Sequence, residues 1–176
     1  MSHQPFLRLY EEYADDLLSY GRGLGYDKED IEDTLQDVIV NLYQQDPELT
    51  GVRNPKVYLF TALKNRLLNT RRRQPMDSLD ADGAERFDVS VSVSDVIEDE
   101  EQRRRLKLKV EQGLALLTPR QREAVYLRYI QELDYDDIAR LLQMTKPSVR
   151  NLVSRGIIEM RQHLTNKDFL LLFLMI

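Results

Sequence analysis

The sequence predicts an all-α chain made of two small helical domains joined by an acidic flexible linker, and three observations carry that prediction. Apolar residues recur at steps of three and four along most of the chain, the spacing of one helix face. Only seven glycines and six prolines interrupt 176 residues, few enough to leave long stretches free of helix breakers. The charge is also divided sharply by position: 10 basic and 12 acidic residues in 1–74, 1 and 10 in 75–101, 14 and 8 in 102–176. The middle segment carries Asp80, Asp82, Asp88, Asp95, Glu98, Asp99, Glu100 and Glu101 with Gly83 and the run Val89–Ser94, too little apolar surface to offset the cost of ordering. The expected parts are a first domain at 1–74, a linker at 75–101, a second domain at 102–167 and an apolar tail at 168–176.

Composition excludes several function classes. With no cysteine there is no disulfide, no Cys-based zinc site and no thiol nucleophile, and the two histidines, His3 and His163, lie far apart. No apolar run reaches the roughly 18 residues of a spanning helix, and Met1–Tyr10 lacks the plan of a signal peptide, so a cytoplasmic protein without direct membrane insertion is expected. No Ser/His/Asp set, metal-ligand cluster or phosphate-cradling glycine loop is found, so neither enzyme activity nor a cofactor is expected. The overall pI of about 5.2 argues against nucleic acid only on average, because a local patch is what binds phosphate.

In the first domain, Phe6, Tyr10, Tyr13, Leu17 and Tyr20 mark an amphipathic helix ending near Gly21–Gly25. Asp27 is placed to cap the second helix, with Asp30 near its positive end and Ile31, Leu35, Val38 and Leu42 as its buried stripe. Its outward face carries Glu29, Glu32, Asp33, Gln36 and Asp37, an acidic ribbon that is either simply solvated or a docking surface for a basic partner. Asn54-Pro55 announces a third helix, a capping residue followed by proline at the first helical position. Leu59, Leu63 and Leu67 cluster on one side of it, while Tyr58, Thr61, Asn65, Asn69 and Arg72 fall within about 80° of one another on the other. Around them Arg53, Lys56, Lys64, Arg66, Arg71, Arg72 and Arg73 read as a basic surface, since no acidic residue occurs between Glu48 and Asp77. Cations for phosphate, a ring for stacking and amides for base edges are the groups that hold single-stranded nucleic acid. Packing of Tyr58 against a neighbouring helix is the plainer alternative.

In the second domain, Leu106, Val110, Leu114 and Leu117 form a helical stripe, and Thr118-Pro119-Arg120-Gln121 combines a capping box with proline in the first turn of a helix that runs to about Ile130. Asp134 opens a shorter helix with Ile138, Ala139, Leu141 and Leu142, followed by the turn Gln143-Met144-Thr145 and a helix from about Lys146. This is a helix-turn-helix plan: Ala139 lets the helices approach, Met144 fills the corner, and Val149, Leu152, Val153, Gly156 and Met160 turn inward. Arg150, Asn151, Ser154 and Arg155 point outward, with Lys146 and Ser148 at the N-terminal end that enters a major groove. There arginine pairs with guanine and asparagine with adenine. Gln143 stands at the turn position where a left-handed backbone would cost less with glycine.

The plan as a whole resembles the extracytoplasmic-function sigma factors of the sigma-70 family, over about residues 5–165. The matching stretches are Ile31–Val38, Tyr58–Asn65 followed by Arg71-Arg72-Arg73, Leu117–Arg122, and Asp137–Leu142 followed by Ser148-Val149-Arg150. The resemblance implies that Glu32, Asp33, Gln36 and Asp37 dock on the clamp-helix coiled coil of the largest subunit of bacterial RNA polymerase core. It implies that the third helix and the preceding Val52–Lys56 loop, through Asn54, Lys56, Tyr58, Thr61, Asn65, Arg66, Asn69 and Arg72, capture unstacked bases of a promoter's minus-10 element. It further implies that the second domain sits on the beta-subunit flap, with Lys146, Ser148, Arg150, Asn151, Ser154 and Arg155 reading the minus-35 element, while the linker lies in the RNA-exit path. Tyr58 replaces the tryptophan common in that family.

Two rival readings remain at this stage: a stand-alone helix-turn-helix regulator, which leaves the acidic ribbon and the Tyr58–Arg73 face unused, and a nuclease with a metal held by Asp33 and Asp37. The tail Phe169–Ile176 falls outside the resemblance, and eight consecutive apolar residues are costly to leave in water. It is expected either to pack against the second domain or to make a regulatory contact with the first domain or with an anti-sigma factor.

Overall fold

The computed structural model describes residues 4–46, 51–73, 86–89, 99–162, 164, 165 and 168, with 4–7 and 71–73 described by backbone only. Seven helices follow one another among these residues: α1 (Gln4–Gly23), α2 (Lys28–Gln45), α3 (Pro55–Arg73), α4 (Glu100–Ala115), α5 (Pro119–Tyr129), α6 (Tyr135–Leu142) and α7 (Lys146–Arg161). They divide into two compact units, Met1–Arg86 and Phe87–Ile176. The architecture is all-α, as the periodicity requires.

In the first unit α1, α2 and α3 pack mutually. Leu17 and Tyr20 of α1 and Ile31, Leu35, Val38 and Leu42 of α2 are buried as their spacing predicts, and Tyr20 meets Phe60 with ring centroids 5.0 Å apart. Asp27 caps α2 by accepting from the Asp30 N–H. The buried face of α3 is wider than the Leu59, Leu63, Leu67 stripe: Val57, Phe60 and Lys64 are buried too. Lys64 is therefore not part of the basic surface assigned to it from charge alone. It lies four residues after Phe60 and three before Leu67, on the helix face turned to the core.

In the second unit α7 packs on α4, α5 and α6. Leu106, Val110, Leu114, Leu117, Val125, Met160 and Leu164 form a core cluster. The capping box of α5 is present in full, with Thr118 and Gln121 each bonding the other's backbone N–H. Within the expected linker, Phe87 is 2% exposed and lies 5.3 Å from the Tyr126 ring, while Val89 packs against the core cluster. Arg122 fastens this stretch to the unit: it donates to Phe87 O at 2.8 Å, Asp88 Oδ1 at 3.0 Å, Leu114 O at 2.8 Å and Leu117 O at 3.0 Å. One guanidinium thus bridges the carbonyl of Leu114, in the last turn of α4, and that of Leu117 just beyond it, and holds Phe87 and Asp88. The rest of the expected linker, 74–85 and 90–98, and the tail Phe169–Ile176 lie outside the described residues.

Candidate nucleic-acid interfaces

Helix α7 owes its position to the turn before it. Gln143 takes φ 54° and ψ 47°, its N–H reaching Ala139 O and Arg140 O, and the Met144 N–H bonds Ala139 O at 2.9 Å. The left-handed turn forms with glutamine in place of glycine. Thr145 then caps α7, accepting from the Ser148 N–H. Val149, Val153, Gly156 and Met160 are buried, and Leu152 and Met144 are half-buried. A Cβ on Gly156 would stand 2.9 Å from Val125 Cγ2, so the approach of α5 and α7 requires glycine there.

The opposite side of α7 presents Arg150, Asn151, Ser154 and Arg155, all exposed, while Lys146 and Ser148 at its start are half-buried. The Ser148 hydroxyl lies 2.8 Å from the Thr145 hydroxyl and Lys146 Nζ lies 2.5 Å from Asp136 Oδ2. Those two residues are engaged in fixing the helix start, whereas the other four form the open row that a groove would meet. Two contributors escaped the sequence reading: the Tyr135 ring has the Arg150 guanidinium 5.4 Å from its centroid and that of Arg128 4.8 Å from it. Their separation along the chain, across three helices, leaves no local spacing signal.

On the first unit the acidic ribbon of α2 is real. Glu29, Asp33, Gln36 and Asp37 are exposed and Glu32 is half-buried, 3.5 Å from Lys28 Nζ. On α3, Asn65 and Asn69 are exposed, while Tyr58 and Thr61 are half-buried and the Arg72 side chain lies outside the described residues. The Thr61 hydroxyl donates to Val57 O at 2.7 Å, and Asn54 accepts from the Val57 N–H at 3.2 Å as the helix cap. Lys56 Nζ lies 3.6 Å from Asp16 Oδ2, with the Tyr13 and Phe60 ring centroids at 5.7 Å and 6.0 Å. A hydrogen bond with Glu12, followed by burial, pushes the Tyr13 phenol up to about 12, so that ring stays neutral beside the cation.

Arg66 Nη1 lies 3.1 Å from Asp37 Oδ2, which links the basic face of α3 to the acidic ribbon of α2. The basic surface is accordingly weaker than its charge count, with Lys64 buried and Lys56 and Arg66 each beside a carboxylate. Asp37 is engaged with an arginine, and among the described residues no group of three or more metal-ligating side chains forms. No helix among the described residues is long and apolar enough to cross a membrane.

These two surfaces coincide with two family matches. Residues 9–75 match sigma-70 region 2, and residues 107–160 match sigma-70, region 4. The chain is 26% identical over 172 residues to the RNA polymerase sigma-E factor of Streptomyces avermitilis, covering 96% of this chain and 91% of that protein. It is 23% identical over 167 residues to the ECF RNA polymerase sigma factor SigX of Bacillus subtilis, covering 92% and 84%. Its fold is similar to that of the sigma factor RpoE from Bartonella quintana, solved in complex with the anti-sigma factor NepR, with a TM-score of 0.63, 21% identity and coverage of 93% of this chain and 98% of that one. With a region 2 unit and a region 4 unit in that order, and relatives of this kind along nearly its whole length, the chain belongs to the extracytoplasmic-function sigma factors of the sigma-70 family.

Proposed function

We propose that the chain directs promoter-specific initiation by joining bacterial RNA polymerase core and reading two promoter elements. In this reading the first domain, 1–74, docks through Glu32, Asp33, Gln36 and Asp37 and takes unstacked minus-10 bases on Asn54, Lys56, Tyr58, Thr61, Asn65, Arg66, Asn69 and Arg72. The second domain, 102–167, reads the minus-35 duplex with Lys146, Ser148, Arg150, Asn151, Ser154 and Arg155. Binding of flipped bases offsets part of the unstacking cost, a few kcal/mol per step. The work is strand capture in the cytoplasm without covalent chemistry or a cofactor, and an anti-sigma factor is the expected inhibitor.

The observation that carries this reading is the open row Arg150, Asn151, Ser154 and Arg155 on α7, set on a helix that buries Val149, Val153, Gly156 and Met160 on its other side. Run-off transcription with purified core on a promoter library, with and without the protein, tests it. Protein-dependent starts sharing two spaced upstream elements are expected. Binding to active core with no starts would overturn promoter direction, and duplex binding that needs no core would favour a stand-alone regulator.

A further inference from the structure

The cations at this end of the helix-turn-helix are held in two different ways. Lys146 is paired with Asp136, and Arg140 with Asp137, so each loses part of its charge to a carboxylate neighbour. Arg150 is held by a neutral ring: its guanidinium lies 5.4 Å from the Tyr135 centroid, and among the described residues it makes no ion pair. The ring is itself held, since Arg128 lies 4.8 Å from its centroid and donates to Leu133 O at 2.8 Å. Tyr135 is the first residue of α6, directly after the cap Asp134, so its backbone is fixed as well.

A cation–π contact restrains a guanidinium through its charge and leaves its N–H donors unspent. A long flexible arginine that must pair with both acceptors of a guanine edge loses rotamer freedom on binding, and a side chain already restrained loses less. We infer that Tyr135 is a positioning residue for Arg150, pre-orienting its guanidinium for base readout from α7 and so setting how strongly the upstream promoter element is discriminated. The inference rests on the proposed role of α7. It assigns to a residue of α6, which need not touch a base, part of the specificity of the recognition helix.

The test is protein-dependent initiation by core polymerase on templates randomised upstream, using the full-length chain and its variants. Tyr135→Leu is expected to relax, by about two- to fivefold, the base preference that Arg150→Ala abolishes. Tyr135→Phe, which keeps the ring, should retain it. In an Arg150→Ala background Tyr135→Leu should add nothing at that base pair, and preferences set elsewhere along the element should persist, which a general loss of structure would not allow. Wild-type preference in Tyr135→Leu, or an equal further loss in the Arg150→Ala background, would overturn the inference. If Arg150→Ala leaves every upstream preference intact, Arg150 is not a reader and the inference falls while promoter direction stands. A wild-type chain that initiates with no upstream preference would remove the reading beneath it.

Discussion

A left-handed backbone costs a residue with a Cβ about 1–2 kcal/mol more than it costs glycine, and Gln143 adopts one at φ 54° in the turn that sets the angle of α7. Gln143→Gly is expected to stabilise the second unit, but by only about 0.5–1 kcal/mol, because glycine also loosens the unfolded chain. Urea denaturation measures it, and a fall in stability would mean that the glutamine side chain outweighs the backbone strain. Gly156 is the converse case. Its missing Cβ would stand 2.9 Å from Val125 Cγ2, so Gly156→Ala should cost about 1–3 kcal/mol in the same assay. The inward role of Gly156 was legible, since it falls on the Val149, Val153, Met160 face. The role of Gly21 was not: it reads as a helix-end signal, whereas a Cβ there would lie 2.7 Å from Ile31 Cγ1, which makes it the close approach of α1 to α2. A breaker and a packing contact have the same letter, and only the partner helix distinguishes them.

Helix caps were the most legible features because cap and capped backbone lie within three residues of each other. Asp27, Thr118 and Asp134, each read as opening a helix, bond the N–H three positions on, and so does Thr145, which the sequence places in the turn without marking it as a cap. The cap of α6 also makes a pH prediction. The Asp137 backbone N–H foremost holds the Asp134 carboxyl below its usual 3.8; burial, next in size, opposes it, and the Asp136 N–H, Lys146 and Arg140 add to the lowering. A carboxyl depressed by folding contributes its stability in full above 3.8, and that contribution is lost as pH falls through the depressed value. Asp134→Asn keeps a capping oxygen but does not titrate, so the second unit of the variant should lose less stability than wild type on going from pH 5 to pH 3, followed by thermal unfolding. Equal losses would assign the acid sensitivity to other carboxylates. The faces of whole helices were less legible than their caps. On α3 the period placed Leu59, Leu63 and Leu67 correctly but could not show that Phe60 and Lys64 lie inward as well, because the width of a buried face depends on how many helices cover it.

The boundary between the two units was the part of the fold least legible in the sequence. Composition averaged over 75–101 reads as a tether, and that average hides one aromatic residue with a large apolar surface. Phe87 is 2% exposed against Tyr126, and Val89 packs against the core cluster, so the second unit begins thirteen residues before its first helix in what the charge pattern reads as linker. What makes the site available is Arg122, whose guanidinium reaches Phe87 O, Asp88, Leu114 O and Leu117 O at once. No local spacing connects Arg122 with Phe87, 35 residues apart, so the pairing emerges only when α4 and α5 close on each other. A fragment beginning at 102 would lack Phe87, Asp88 and Val89 and leave Arg122 Nη1 and the Tyr126 face uncovered. Truncating a buried phenylalanine costs about 3–5 kcal/mol, and losing hydrogen bonds to a charged group about 1.5–3 kcal/mol each, partly recovered from water. Fragment 86–176 should therefore be more stable to urea than fragment 102–176 by at least about 3 kcal/mol, and Phe87→Ala in the longer fragment should remove most of the difference. Equal midpoints for the two fragments would show that the second unit is complete without Phe87. A gap that survives Phe87→Ala would instead trace the stability to Asp88 and Val89 or to the chain between them and α4.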